Sequence, residues 1–110
     1  MVRFGSALGA DRRTFYGLAG LGDLVTTCNS PHSRNRSVGE GLGRGRSLAA
    51  IQEAMSAVAE GVLTARSVHQ IALEQSIDMP IATQVYHVLF ENRSPREATV
   101  ELMQRPLKVE

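Results

Sequence analysis

His32-Ser33-Arg34-Asn35-Arg36 is the segment best equipped for chemistry. A hydroxyl, a guanidinium and an amide stand in succession just after the breakers Asn29, Ser30 and Pro31, where a helix is expected to begin. Free backbone N–H groups and the helix dipole at such a start favour negative charge. An arginine adds a fork that holds phosphate through two hydrogen bonds. The same residues also suit a plain capped helix start turned to solvent, and at this point both readings stand.

A second segment, Gly17-Leu18-Ala19-Gly20-Leu21-Gly22-Asp23-Leu24, resembles neither ordinary core nor ordinary surface. Three glycines in six residues each cost a helix about 1 kcal/mol relative to alanine. Glycine there lets a ligand or another backbone come close. Asp23 sits among apolar neighbours in sequence, and a buried carboxylate needs partners. Close helix packing, with Asp23 as a cap, is the competing explanation.

Other reactive-looking residues carry less. Gly39, Gly41, Gly43 and Gly45 do not follow the Gly-x-Gly-x-x-Gly or Walker order, and no strand precedes them. They read as a thin helix face that allows close packing. His69 falls on a helical stripe as a core or groove residue, and His87 fits a surface or core-edge position. No pair of histidines or cysteines has metal spacing, so no metal site is expected. Cys28 has no obvious activating partner.

The elements that must position these residues are helices. Met1 to Leu8 reads like the last turns of a helix closed by Gly9, as in a piece of a longer chain. Asp11 can cap a short turn through Phe15. Leu18 to Thr27 is apolar, with Gly20 and Gly22 as interruptions, and Cys28 to His32 reads as a loop. Ser33 can cap a helix to about Gly43, and Ser47 another over Leu48 to Met55. From Val58 a stripe recurs at Val62, Ala65, His69 and Ala72, widened by Leu63 and Ile71. Pro80 suits the first turn of the next helix, with Ile81, Val85, Val88 and Leu89 on one face. Ser94-Pro95-Arg96-Glu97 has the form of a capping box, followed by Ala98, Leu102 and Met103. Strand signals are almost absent, so the fold class is all-α, with five to seven helices in one domain over residues 1–110.

Composition sets the outer bounds. The chain has 110 residues, 43% of them hydrophobic, enough for one core without staples. Its formal net charge of +1 gives no general pull towards nucleic acid or membrane. Eleven arginines and one lysine, Lys108, make up the basic residues. The lone Cys28 points to a reducing compartment. No apolar run is long enough to insert into a membrane, and no signal core follows Met1.

The Gly17–Leu24 block, Thr27-Cys28 and Ser33-Arg34-Asn35, in that order and spacing, strongly resemble the C-terminal domain of bacterial NAD(P)-dependent glycerol-3-phosphate dehydrogenases. The likeness continues through Glu60-Gly61, Met79-Pro80-Ile81, Val85-Tyr86, Val88-Leu89 and Pro95-Arg96-Glu97-Ala98. It covers nearly the whole chain. The resemblance implies an all-α domain of the 6-phosphogluconate dehydrogenase C-terminal-like type. In such enzymes it follows a Rossmann domain that binds NAD(P)H. The implied reaction interconverts dihydroxyacetone phosphate and sn-glycerol 3-phosphate in the cytoplasm, feeding glycerophospholipid synthesis.

Carried over by position, Asp23, Ser33, Arg34 and Asn35 would line the substrate pocket. Arg34, Val58 and Glu60 would reach the cofactor. Asp23 could orient a substrate hydroxyl or a lysine, because a carboxylate accepts from either. The family's catalytic lysine and its glycine-rich dinucleotide loop lie upstream of the matched part, and Lys108 matches no such role. The expectation is therefore a substrate-binding domain that is inactive alone, binds NAD(P)H only weakly, and pairs with a missing Rossmann domain, with a homodimer also open. A related hydroxyacid-type dehydrogenase domain and a helical interaction or nucleic-acid-binding module are the competing readings. Glu40 inside the local basic patch counts against nucleic acid.

Overall fold

The computed structural model describes residues 1–106, and the expectation for Lys108 lies outside them. Among the described residues every regular element is helical. Helix α1 spans Val2–Ala7, a 3-10 turn spans Arg12–Tyr16, and a π-helical turn spans Leu18–Gly22. Then follow α2 at Asp23–Asn29, α3 at Arg34–Gly43 and α4 at Leu48–Glu53. Helices α5 at Glu60–Glu74, α6 at Pro80–Phe90 and α7 at Pro95–Gln104 complete the chain.

Local chemistry explains most of these boundaries. The Asp11 side chain accepts from Arg13 N–H, Ser33 from Arg36 N–H and Ser47 from Ala50 N–H, so each holds one of the unpaired donors at its helix start. Helix α3 stops because Gly45 adopts φ +80°, which brings Arg46 N–H back to the Gly41 carbonyl. Pro80 and Pro95 each occupy the first turn of a helix. At α7 the expected capping box is not formed: Ser94 makes no side-chain cap bond, and the preset φ of Pro95 starts the helix without it.

The glycine-rich segment differs from its sequence reading. Gly20 and Gly22 do not interrupt it, because the π-helical turn passes straight into α2. A Cβ on Gly20 would lie 2.3 Å from the Phe15 carbonyl oxygen, so glycine here serves the close approach of two backbone segments. The helix also runs through Cys28 and Asn29, which the sequence placed in a loop. The Asn29 side chain donates to the Val25 carbonyl at 2.8 Å and so supports the last turn it was expected to break. Of the α3 glycines, only Gly41 serves close packing, against Ile51; around Gly39 and Gly43 there is open space.

The core is small. Val38, Ile51, Ala59 and Val62 form its centre, with Leu42, Leu48, Met55, Leu89 and Phe90 packed around them. Val62, Ala65 and Ala72 are buried along α5, but Leu63 is exposed. Ile81 and Val85 on α6 and Met103 on α7 are exposed as well, so those stripes are narrower than periodicity implied. Between α3, α5, α6 and α7 an apolar cavity of about 340 Å³ remains open. Buried Gln84 lines it, donating to Glu101 at 2.9 Å while its carbonyl oxygen has no partner. His69 stacks on Tyr86 with ring centroids 3.9 Å apart, which fits the groove position expected of it. No helix is long and apolar enough to cross a membrane among the described residues.

Candidate functional site

The start of α3 is unusual electrostatically. A helix start favours acidic side chains, yet the first turn of α3 holds Arg34, Asn35 and Arg36 and no acid. Arg36 is paired with Glu40 at 2.8 Å, so it is the dipole and Arg34 that add to one local positive field. The cap itself is satisfied by Ser33, whose hydroxyl accepts from Arg36 N–H at 3.2 Å. Arg34 makes no ion pair or side-chain hydrogen bond among the described residues, so its fork is available to a ligand.

An open recess of about 330 Å³ lies beside this turn. It is lined by Thr26, Thr27, Ser30, His32, Ser33, Arg34, Asn35 and Glu60. Three helices and the turn between the first two meet there. Helix α2 supplies the two threonines, the connecting turn supplies Ser30 and His32, and the starts of α3 and α5 supply the rest. The turn is well defined: Ser33 N–H donates to the Ser30 carbonyl and His32 N–H to the Ser30 hydroxyl. Pro31 occupies the second position of that turn, where its fixed φ is favoured.

Asn35 joins α3 to α5. Its Oδ1 accepts the Gly61 N–H at 3.1 Å. Helix α5 has Ala59 at its cap position and no side-chain cap of its own, so an amide from 26 residues away does that work. Gly61 must be small for this: a Cβ there would sit 2.6 Å from Asn35 Oδ1. The contact brings Glu60 to the rim of the recess and leaves the Asn35 NH₂ group as a donor.

Of the sequence candidates, Ser33, Arg34, Asn35 and Glu60 come together on this recess. Asp23 and Val58 do not line it. Asp23 is exposed at the first turn of α2 rather than buried, one turn before Thr26 and Thr27 on the same helix face. Val58 lies in the segment before α5 and is 62% exposed. Thr26, Thr27 and Ser30 were not among the sequence candidates for the site, although Thr27 stands in the motif Thr27-Cys28. The one available signal for Thr26 was its spacing of three from Asp23. No cluster of three or more His, Cys, Asp or Glu residues that could hold a metal ion occurs among the described residues.

The domain is thus all-helical, with a recess of hydroxyls, an amide and a guanidinium beside an acid-free helix start and with Glu60 on its rim. Residues 1–100 match the family described as NAD-dependent glycerol-3-phosphate dehydrogenase C-terminus, and the chain belongs to that family. It is 54% identical over 110 residues to the glycerol-3-phosphate dehydrogenase [NAD(P)+] of Syntrophotalea carbinolica, covering all of this chain and 33% of that protein. It is 53% identical to the enzyme of the same description from Geobacter metallireducens, again covering 33% of it. A crystal structure of glycerol-3-phosphate dehydrogenase from Coxiella burnetii superposes with a TM-score of 0.90 at 41% identity, over 94% of this chain and 32% of that one. The chain thus spans about a third of the length of the relatives it matches, and the all-α fold expected from sequence is the fold found.

Proposed function

We propose that this chain is the substrate-gripping part of an oxidoreductase that interconverts dihydroxyacetone phosphate and sn-glycerol 3-phosphate with NAD(P)H, in cytoplasmic glycerophospholipid synthesis. The observation that carries the reading is the acid-free first turn of α3 opening on the recess of Ser33, Arg34 and Asn35. A phosphate dianion is the ligand such a field suits, held by the Arg34 fork and the Ser33 and Asn35 donors. Thr27 offers a hydroxyl to the polyol end, and the Thr26 hydroxyl, which donates to the Gly22 carbonyl at 2.9 Å, keeps its lone pairs as acceptors. Asp23, on the same face of α2, is positioned to take part only if the substrate or an added lysine extends towards it. The exposed free thiol of Cys28 agrees with a reducing compartment.

The cofactor fits this chain only at its edge. Arg34 and Glu60 share the recess rim and could touch it, with Val58 as a third contact from the adjoining segment, while the glycine-rich dinucleotide motif is absent from the sequence. When bound, the nicotinamide supplies or accepts the hydride. The residues of this chain bind and orient the substrate beside it.

Two measurements test the reading. Titration with sn-glycerol 3-phosphate, followed by NMR against glycerol, should shift amides at Ser33, Arg34 and Asn35; Arg34→Ala should weaken the apparent affinity roughly tenfold or more, as loss of a charged hydrogen-bond pair does. Equal shifts with glycerol would remove the phosphate from the proposal. The 110 residues alone should show no NADH-dependent reduction of dihydroxyacetone phosphate, and measurable turnover would overturn the division of labour.

A further inference from the structure

The recess has two walls that hardly pack on each other. Helix α2 brings Thr26 and Thr27, yet it buries no residue and its main packing partner is the π-helical turn before it rather than α3. Helix α3 brings Ser33, Arg34 and Asn35 and is anchored to the core through buried Val38. Only a four-residue turn connects the walls, so something must set the angle between them.

We infer that Arg36 is a positioning residue: its guanidinium bridges the end of α2 to α3 and fixes the two walls of the anion recess relative to each other. Arg36 Nη1 donates to the Asn29 carbonyl at 3.0 Å, and Arg36 Nε donates to Glu40 Oε1 at 2.8 Å. The Asn29 carbonyl ends α2 and has no partner within its own helix, and a cation there also meets the negative end of that helix. Glu40, one turn along α3, holds the guanidinium plane so that its other edge faces Asn29. A planar fork with several donors can make both bonds at once, whereas a lysine amine offers one compact point of charge. Arg34 and Arg36 therefore divide the work. Arg34 lines the recess and is open to a ligand; Arg36 does not line it, and its Nε and Nη1 donate within the protein.

Both Arg36 and Glu40 are partly exposed, with side chains 42% and 47% accessible. An ion pair of that kind adds little to global stability. Its effect is local, on the order of the turn and hence on ligand affinity. The inference rests on the substrate reading only for its ligand; the bridge itself can be tested without one.

The test compares the 110-residue chain with Arg36→Met, which keeps the aliphatic stem and removes the donors. Arg36→Lys provides a milder second variant, and Arg44→Met is a control that removes a nearby positive charge, which meets Glu40 only at 4.0 Å, while leaving both Arg36 bonds in place. Backbone ¹⁵N order parameters at Ser30, His32 and Ser33 should fall from about 0.85 to below about 0.6 in Arg36→Met and stay high in Arg44→Met. The apparent Kd for sn-glycerol 3-phosphate should rise about three- to tenfold in Arg36→Met, less in Arg36→Lys, and under twofold in Arg44→Met, with the thermal midpoint unchanged throughout. An ordered turn in both Arg36 variants with wild-type affinity would overturn the inference. So would disorder spread over the whole chain, which would make Arg36 a general structural residue. If the wild-type chain binds no sn-glycerol 3-phosphate while Arg36→Met still loosens the turn, the bridge stands and the substrate reading falls.

Discussion

Residues 1–30 and residues 34–104 are built on different terms. The buried hydrophobic residues Val38, Ile51, Ala59, Val62, Ala65, Ala72 and Ala98 all belong to the second region. In the first, the buried residues are Gly5 and Gly20, both closed against Phe15, while Leu18, Leu21, Leu24 and Val25 face outward. Leu18 is 89% exposed, a large apolar side chain with nothing over it. The second region has a core; the first has backbone contacts and an exposed apolar surface. Ties between them include Arg36 on the Asn29 carbonyl and Arg3 on Asp78, 3.2 Å apart. The recess lined by Ser33, Arg34 and Asn35 lies on the seam. Its stability and its geometry thus come from different places: the core holds α3 and α5, and the seam bonds hold α2 to them.

The sharpest way to probe that contrast is to damage one side and watch the other. Ile51 is 3% exposed and packs on Gly41. Ile51→Ala should lower the unfolding free energy by about 2–5 kcal/mol, the usual range for a truncated core aliphatic, read as a urea midpoint. A loss below about 0.5 kcal/mol, typical of surface changes, would mean that the small core is not what stabilises the second region.

Gly20→Ala strikes the first region. Its Cβ would press on the Phe15 backbone, which cannot swing aside as a side chain can. The expected penalty is about 1–3 kcal/mol or more. It should appear as lost amide-exchange protection over residues 12–29, with protection at Val62, Ala65 and Ala72 kept. Equal loss in both regions would show one cooperative unit and dissolve the contrast.

The two regions also differed in how legible they were. Helices α3 to α7 could be read because capping serines, prolines at helix starts and a 3.6-residue stripe are local signals, and Ser33, Ser47, Pro80 and Pro95 stand where those signals put them. The glycine-rich segment was misread as interrupted because Gly20 is explained by Phe15 approaching from another element, which no window on Gly20 reveals. The site followed the same division. Ser33, Arg34 and Asn35 were visible as a triplet at a helix start. The capping of Gly61 by Asn35 was not, since it links positions 26 residues apart. Exposed Asp23 shows the reverse error: apolar neighbours in sequence did not mean burial, because its helix turns them to the outside.

The smallest effects test whether a local signal is worth what its geometry shows. Ser47 and Ser94 both stand at helix starts of the second region, and sequence alone gives Ser94 the stronger claim, with Pro95 and Glu97 behind it. The structure reverses the order. The Ser47 hydroxyl accepts from Ala50 N–H at 3.2 Å, while Ser94 makes no cap bond. Ser47→Ala should therefore cost about 1 kcal/mol, the typical value of an N-cap bond. Ser94→Ala should stay within about 0.5 kcal/mol, as for a surface change without a special feature. Paired urea titrations of the two variants measure the difference directly. If Ser94→Ala costs as much as Ser47→Ala, the capping box forms in solution and α7 starts on a hydroxyl rather than on the fixed φ of Pro95 alone.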